Sequence, residues 1–515
     1  MDASRLGIML SMLLLVGPTS ADPTPIQCII DIHCDPMGAS ESVQAAQYLE
    51  WVDAVDWGLN QVEAVGAKVS FLSTGEFMEW VLDNPGPAEA VDLIPRLAAS
   101  GDNFIGTHSH QRYRLGLHNW PELPPNPTDE QIALHWEDHI AAVNAVIEVQ
   151  LGVTDPDAVA EINCVRGAHM PREDDEEYFQ ELAVLYGFPI REQGPEEAFF
   201  GHFDHFVWHP FRPSTDNLLV HNPDGPMIVS PFGPVLGQIG VHHGVFQDMS
   251  DRAVKSRFMM ELLNWLDEAY YGAQPHIWST GWSAHCHDLM PGNETYEQWS
   301  GMFLWMTDHF VDQPVSGLQA VEFSTMKASA ALHVEWEKDY PDVVPFSYGE
   351  ADTDMDAYPW SRAIYSYMIG LHYDTSMPEQ GLVRWHRLVR DGTDEELFVL
   401  WTTTGMELVI DLSAFLDGSI EWAAIEPHRG HCRIVDLAEV PVREAGTILL
   451  PADRLEDFPW LADLDADDTV GVMDLLGVIE AWGACPDLPA TCHADIDGDG
   501  VVTVMDLLAV LDGWG

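Results

Sequence analysis

Residues 26–330 predict an α/β fold, either a barrel or a doubly wound sheet, followed by an antiparallel β-sandwich over 340–460 and a small helical tail over 463–515. Three observations carry this reading. Apolar strands alternate with helical stretches through the first part, a pattern that requires parallel strands joined by right-handed crossovers. After about residue 340 the helical periods give way to short strands separated by turns. The tail repeats itself at a spacing of 32 residues.

The alternation opens with a strand over Ile26 to Asp35 and an amphipathic helix over Val43 to Val65. Ala67 to Ser73 follows as a strand, Ala88 to Ala99 as a helix and Asn103 to His110 as a strand. A long helix from Asp129 to Leu151 leads to the strand Glu161 to Arg166 and a helix from Asp174 to Tyr186. Met227 to Ser230 is an apolar strand, Asp251 to Tyr271 a helix, and His276 to Ser283 and Ala320 to Thr325 are strands. In the second part, Leu397 to Thr403, Glu407 to Leu412, Glu421 to Ile425, Cys432 to Val435 and Thr447 to Leu450 are the short strands.

Length and charge bound the rest. A chain of 515 residues is too long for one ordinary core and implies two or three domains. Asp and Glu number 84 against 22 Lys and Arg, a net charge of −62. Such a surface repels phosphate backbones and anionic lipid, which argues against nucleic-acid and membrane partners. Residues 1–21 read as a signal peptide, with Arg5, an apolar run from Leu6 to Val16 and small residues at Thr19 to Ala21, so export is expected. Export makes a Cys485–Cys492 disulfide reasonable; Cys28, Cys34, Cys164, Cys286 and Cys432 read as small buried hydrophobes.

The tail's two repeats run from Asp463 to Asp474 and from Asp495 to Asp506. Each places carboxylates at positions 1, 3, 5 and 12 of a loop (Asp463, Asp465, Asp467 and Asp474; Asp495, Asp497, Asp499 and Asp506), where Ca²⁺ needs hard oxygens around one point. The backbone carbonyls of Thr469 and Val501 would supply position 7. The pair resembles a dockerin domain, with two EF-hand-like calcium loops, of the kind carried by bacterial secreted carbohydrate-active enzymes. That resemblance implies one Ca²⁺ per loop and a cohesin-like receptor as partner. Val472, Leu475, Leu476, Val478, Ile479, Val504, Leu507, Leu508 and Val510 are its candidate core or receptor face.

A second resemblance covers about 26–330. The run Gly66 to Glu76 is similar to the second strand of polysaccharide deacetylases, and Leu97 to His110 is similar to the same family's helix, glycine, strand and histidine element. Asp31 to Asp35 falls where that family keeps a paired-Asp motif, Arg166 where it keeps an Arg motif, and His285 to Asp288 where it keeps a late His-Asp motif. The resemblance implies a polysaccharide-deacetylase-like (β/α) barrel that removes acetyl groups from a polysaccharide. This chain reads Cys34-Asp35 at the paired-Asp position, so Asp31 or His33 would have to act as base.

The residue types support that chemistry by themselves. His108 and His110 are two apart at a strand end and leave the same face, as do Asp31, His33 and Asp35. Asp35, His108 and His110 form a three-ligand set for Zn²⁺ or a similar divalent ion, with a position left open for water. His285 or His287 would serve as general acid, Arg166 would orient a carboxylate, and Trp208 and Trp282 suit sugar rings. Two rivals stand beside this reading. A glycoside hydrolase on a similar barrel would need paired carboxylates, with Glu76, Asp204 and Asp288 as candidates. A non-catalytic carbohydrate-binding or scaffold protein would need none of them.

Overall fold

The computed structural model describes residues 23–341, 343, 345, 371–455, 472–484, 494 and 501–512, except for residues 39, 84–89, 91, 100–103, 169–175, 193–207, 219, 238–239, 243–244, 248, 272–275, 312, 316–317, 374–381, 391–394, 405 and 430. The proposed signal peptide and the Cys485–Cys492 pair lie outside these residues.

The strand β1 (Ile26–Cys34) is buried along its whole length and organises the first part. It pairs in parallel with β10 (Val321–Ser324) through Ile26 to Ile29, with β2 (Ser70–Ser73) through Asp31 to Cys34, and with β9 (Ser279–His285) through Gln27 to His33. From β2 the sheet continues through β3 (Phe104–Ser109), β4 (Asn163–Ala168), β5 (Ile190–Arg191) and β6 (Ile228–Val229). The result is a parallel half-barrel, a seven-strand path with β9 added on β1. The short antiparallel pair β7 (Gly240–His242) and β8 (Val245–Gln247) precedes β9, and a parallel bridge from Val235 to Ser283 covers β9.

Helices wrap this sheet: α1 (Glu41–Ala64), α2 (Gly75–Asp83), α3 (Leu93–Ala99), α4 (Asp129–Leu151), α5 (Pro156–Ile162), α6 (Glu176–Tyr186), α7 (Asp251–Tyr271), α8 (Glu294–Met306) and α9 (Met326–Asp339). The main core is built where Cys28, Ile30, Ile32 and Cys34 of β1 meet Tyr48, Trp51, Val55 and Leu59 of α1 and Trp299 of α8. Thr128 starts α4 with a full capping box and Gly152 ends it in the left-handed conformation, which explains why its bounds agree with those read from sequence. The helices α2, α5, α8 and α9 have no counterpart in that reading. In α2, Gly75 to Val81 are all buried, so no polar face marks its period.

The second part is a six-stranded antiparallel sheet ordered β11 (Leu371–Tyr373), β12 (Val383–Arg390), β13 (Glu396–Thr402), β18 (Thr447–Pro451), β15 (Trp422–Glu426), β16 (His431–Val435). A two-stranded ribbon, β14 (Leu408–Ile410) with β17 (Val440–Val442), shares a core with Phe398, Leu400, Trp422 and Leu449. On the opposite face Leu397, Val399 and Trp401 join the main core, and His386 meets Ser256 of α7 at 2.7 Å. The sandwich expected from sequence is thus filled on one side by a ribbon and on the other by the helical layer of the first part.

In the tail, α10 (Val472–Glu480) and α11 (Val504–Asp512) enclose a small core of Val478, Val502 and Val510, and Gly483–Ala484 pairs with Val501–Val502. The loop residues Asp463, Asp465, Asp467, Thr469, Asp495, Asp497 and Asp499 lie outside the described residues, as does the side chain of Asp474. Asp506 is buried and accepts a hydrogen bond from the Thr503 amide at 2.6 Å, closing the first turn of α11.

Gly281 in β9 has φ +142°, and a Cβ there would stand 1.8 Å from the Ile29 carbonyl oxygen. That close approach lets β9 pair with β1 over seven residues. Gly281→Ala is expected to destabilise the fold by about 3 kcal/mol or more, read from the urea midpoint. A midpoint equal to that of the native chain would contradict the packing described.

Candidate metal centre

The alternation of β1 decides what the barrel interior contains. Ile30, Ile32 and Cys34 enter the apolar core, so Asp31 and His33 face the other way, and Asp35 follows in the same direction. On β9 the same rule sends Trp282 and Ala284 into the core and His285 to the interior. β3 brings His108, with His110 just beyond its end. Four imidazoles and one carboxylate therefore converge at the carboxyl ends of three strands.

Asp35 sits among them. Its Oδ1 is 3.0 Å from His110 Nε2 and 3.8 Å from His108 Nε2, and those two nitrogens are 3.0 Å apart. Its Oδ2 is 3.4 Å from His285 Nε2. His33 packs against both sides, with ring centroids 5.1 Å from His108 and 4.3 Å from His285. Ligand atoms around a tetrahedral ion with bonds of about 2.0–2.2 Å lie about 3.4 Å apart, so the Asp35, His108 and His110 set fits a metal such as zinc.

Three of the imidazoles are each backed by a carboxylate at Nδ1. His33 is 2.9 Å from Asp31 Oδ2, His108 is 2.9 Å from Glu192 Oε2, and His285 is 2.8 Å from Asp288 Oδ2. Such partners fix the tautomer and leave Nε2 to face an ion. Glu192 was missed in the sequence, because it follows a two-residue strand that carries no periodic signal. Gly167 makes its contact possible: a Cβ there would overlap Glu192 Oε2 and stand 2.7 Å from His108 Nδ1.

The electrostatics follow the geometry. Burial pushes the Asp35 carboxyl up, yet His285 and His110 outweigh it and hold it well below the usual range. Burial keeps His33 and His108 well below the ordinary histidine value. Burial also lowers His285, but Asp35 and Asp288 reverse the sign and raise it. His287 is likewise lowered by burial and raised on balance by Cys286 and Asp288. Asp35, His285, His287 and Asp288 line a cavity of about 410 Å³ together with Val235, Leu236 and Thr295.

Several sequence expectations need correction. Asp31 is fully buried beneath His33, where burial and Glu192 raise its pKa, so it supports His33 and does not reach the cavity. Arg166 is also fully buried. It donates to Thr107 O at 3.0 Å and Ser109 Oγ at 2.6 Å and stacks 4.1 Å over Trp136, so it pins the end of β3 instead of orienting a substrate carboxylate. Trp208 and Trp282 are core residues, against Trp278 and Phe303 respectively, and offer no platform for a sugar. Of the carboxylates named for a glycosidase, Glu76 is tied to Arg112 and the Met37 amide, Asp288 to His285, and Asp204 lies outside the described residues.

The chain matches no known family profile and no curated protein. Solved structures show distant similarity. One is described as a polysaccharide deacetylase from Mycobacterium smegmatis, at 12% identity, over 64% of this chain and 97% of that one, with TM-score 0.35. Another, so described from Pseudomonas aeruginosa PAO1, aligns at 11% identity over 62% and 93%, with TM-score 0.35. A 4-alpha-glucanotransferase from Thermococcus litoralis aligns at 11% over 67% and 52%, with TM-score 0.33. At such TM-scores these likenesses carry no argument about the chemistry of the site.

The buried imidazoles set a pH dependence. Burial holds His139 and His209 well below the ordinary value, His135 at about 3 and His221 at about 4, alongside His33 and His108. The folded chain keeps them neutral where the unfolded chain binds protons, so their contribution is full above about pH 6.5 and lost as pH falls below it. The raised His285, His287, Asp31 and Glu261 act in the opposite sense and are outnumbered. In metal-free buffer the urea midpoint is expected to fall between about pH 7 and about pH 5.5, each neutral imidazole costing up to about 1.4 kcal/mol per pH unit. A constant or rising midpoint would contradict this account.

Proposed function

We propose that this chain is a secreted, metal-dependent hydrolase that removes acyl groups from a polysaccharide, with a calcium-binding tail that attaches it to a cohesin-like partner. The observation that carries the reading is the convergence of Asp35, His108 and His110 at ligand spacing, with the imidazole of His108 locked from behind by Glu192 and the site open to the cavity. Bound there, a divalent ion supplies Lewis acidity toward an acyl carbonyl and a water. His287 is the proton carrier for the leaving group: its side chain is 40% exposed, it lines the cavity, and Asp288 stands 3.6 Å from its Nε2. The substrate class follows from the order of motifs along the chain, which resembles that of polysaccharide deacetylases.

For the tail, the repeats expose matching apolar side chains on both helices, Val472, Leu476 and Ile479 on α10 and Val504, Leu508 and Leu511 on α11. A duplicated apolar face supports a docking role. Among the described residues no helix is long and apolar enough to cross a membrane.

Acetylated polysaccharides tested with zinc-loaded protein provide the check. His108→Ala is expected to lose the ion held with Asp35 and His110, and acetate release with it. His287→Ala is expected to keep the metal while turnover falls about 10²- to 10⁴-fold. Full turnover in either variant would remove the reading.

A further inference from the structure

We propose that the barrel holds two divalent cations, with Asp35 bridging them and His33 and His285 completing a second site. The inference rests on reading Asp35 as a metal ligand and extends it. The ligand atoms divide into two sets that meet at one residue. Asp35, His108 and His110 lie within 4.8 Å of one another, and so do Asp35, His33 and His285. The two sets use different oxygens of the carboxylate: Oδ1 faces His108 and His110, and Oδ2 faces His285. A carboxylate presenting one oxygen to each of two ligand clusters is the arrangement that spans a metal pair about 3.5–4 Å apart.

The second set is built to the same standard as the first. His33 and His285 both have Nδ1 against a carboxylate, Asp31 and Asp288, which fixes each ring, and His285 Nε2 stands 3.4 Å from Asp35 Oδ2. Asp31 is fully buried, its Oδ1 has no hydrogen-bond partner among the described residues, and its Oδ2 orients His33.

The test is zinc content of the full-length protein, dialysed against excess calcium so that the tail does not compete, together with zinc-edge X-ray absorption. Two equivalents of zinc and a zinc–zinc vector of about 3.5–4 Å are expected. His33→Asn and His285→Asn, checked for native circular dichroism, are each expected to fall to one equivalent and lose that vector. One equivalent in the native protein, retained in both variants, would overturn the proposal, and the native measurement decides even if a variant fails to fold. One zinc with acetate release would overturn the second site and leave the proposed function standing. Two zincs without hydrolysis of any acetylated substrate would keep the second site and remove that function.

Discussion

The period-two alternation of β1 is the constraint on which the rest depends. Ile30, Ile32 and Cys34 enter the apolar core beneath α1, and that burial leaves Asp31, His33 and Asp35 no alternative to the barrel interior. A one-residue slip of this strand would send three polar groups into the core and three apolar ones into the barrel. Its parallel ladders to β2, β9 and β10 prevent the slip, and the register His33 to His285 sets two imidazoles side by side. Hydrophobic burial therefore fixes the placement of the polar site.

Around that strand the structure arranges support in shells. Arg166 fastens the end of β3 through Thr107 and Ser109, and His135 adds a contact to Ser109 Oγ at 3.2 Å. His135 and His139 both approach the Arg112 carbonyl, which holds the segment just after His110. Arg112 reaches back to Met37 O and to Glu76, and Glu76 accepts from the Met37 amide. The segments following Asp35 and His110 are thereby tied together, so the distance between those two side chains is set by buried polar contacts on both. Buried groups of this kind would be costly unless paired, and the pairing rigidifies the mouth.

Much of this was legible in the sequence. Strand and helix alternation gave the parallel α/β class, and the i, i+2 spacing of Asp31, His33 and Asp35, and of His108 and His110, placed each set on a shared face. The fit of those residues to one another required the fold. Glu192 and Gly167 could not be found by pattern, because a carboxylate after a two-residue strand and a glycine that makes room for it carry no period. The roles given to Arg166, Trp208 and Trp282 failed for one reason. Residue type suggests chemistry, whereas the strand face decides burial, and the Arg166 and Trp282 side chains are enclosed in packing. Asp31 shared the right face but lies too deep to meet a substrate.

The most direct measurement of the central claim is anomalous diffraction at the zinc edge from crystals of the zinc-loaded protein. The account expects an anomalous peak beside Asp35, bonded to the Nε2 atoms of His108 and His110 at about 2.0–2.1 Å. A peak bound to other residues, or an empty Asp35 site in zinc-saturated crystals, would contradict it.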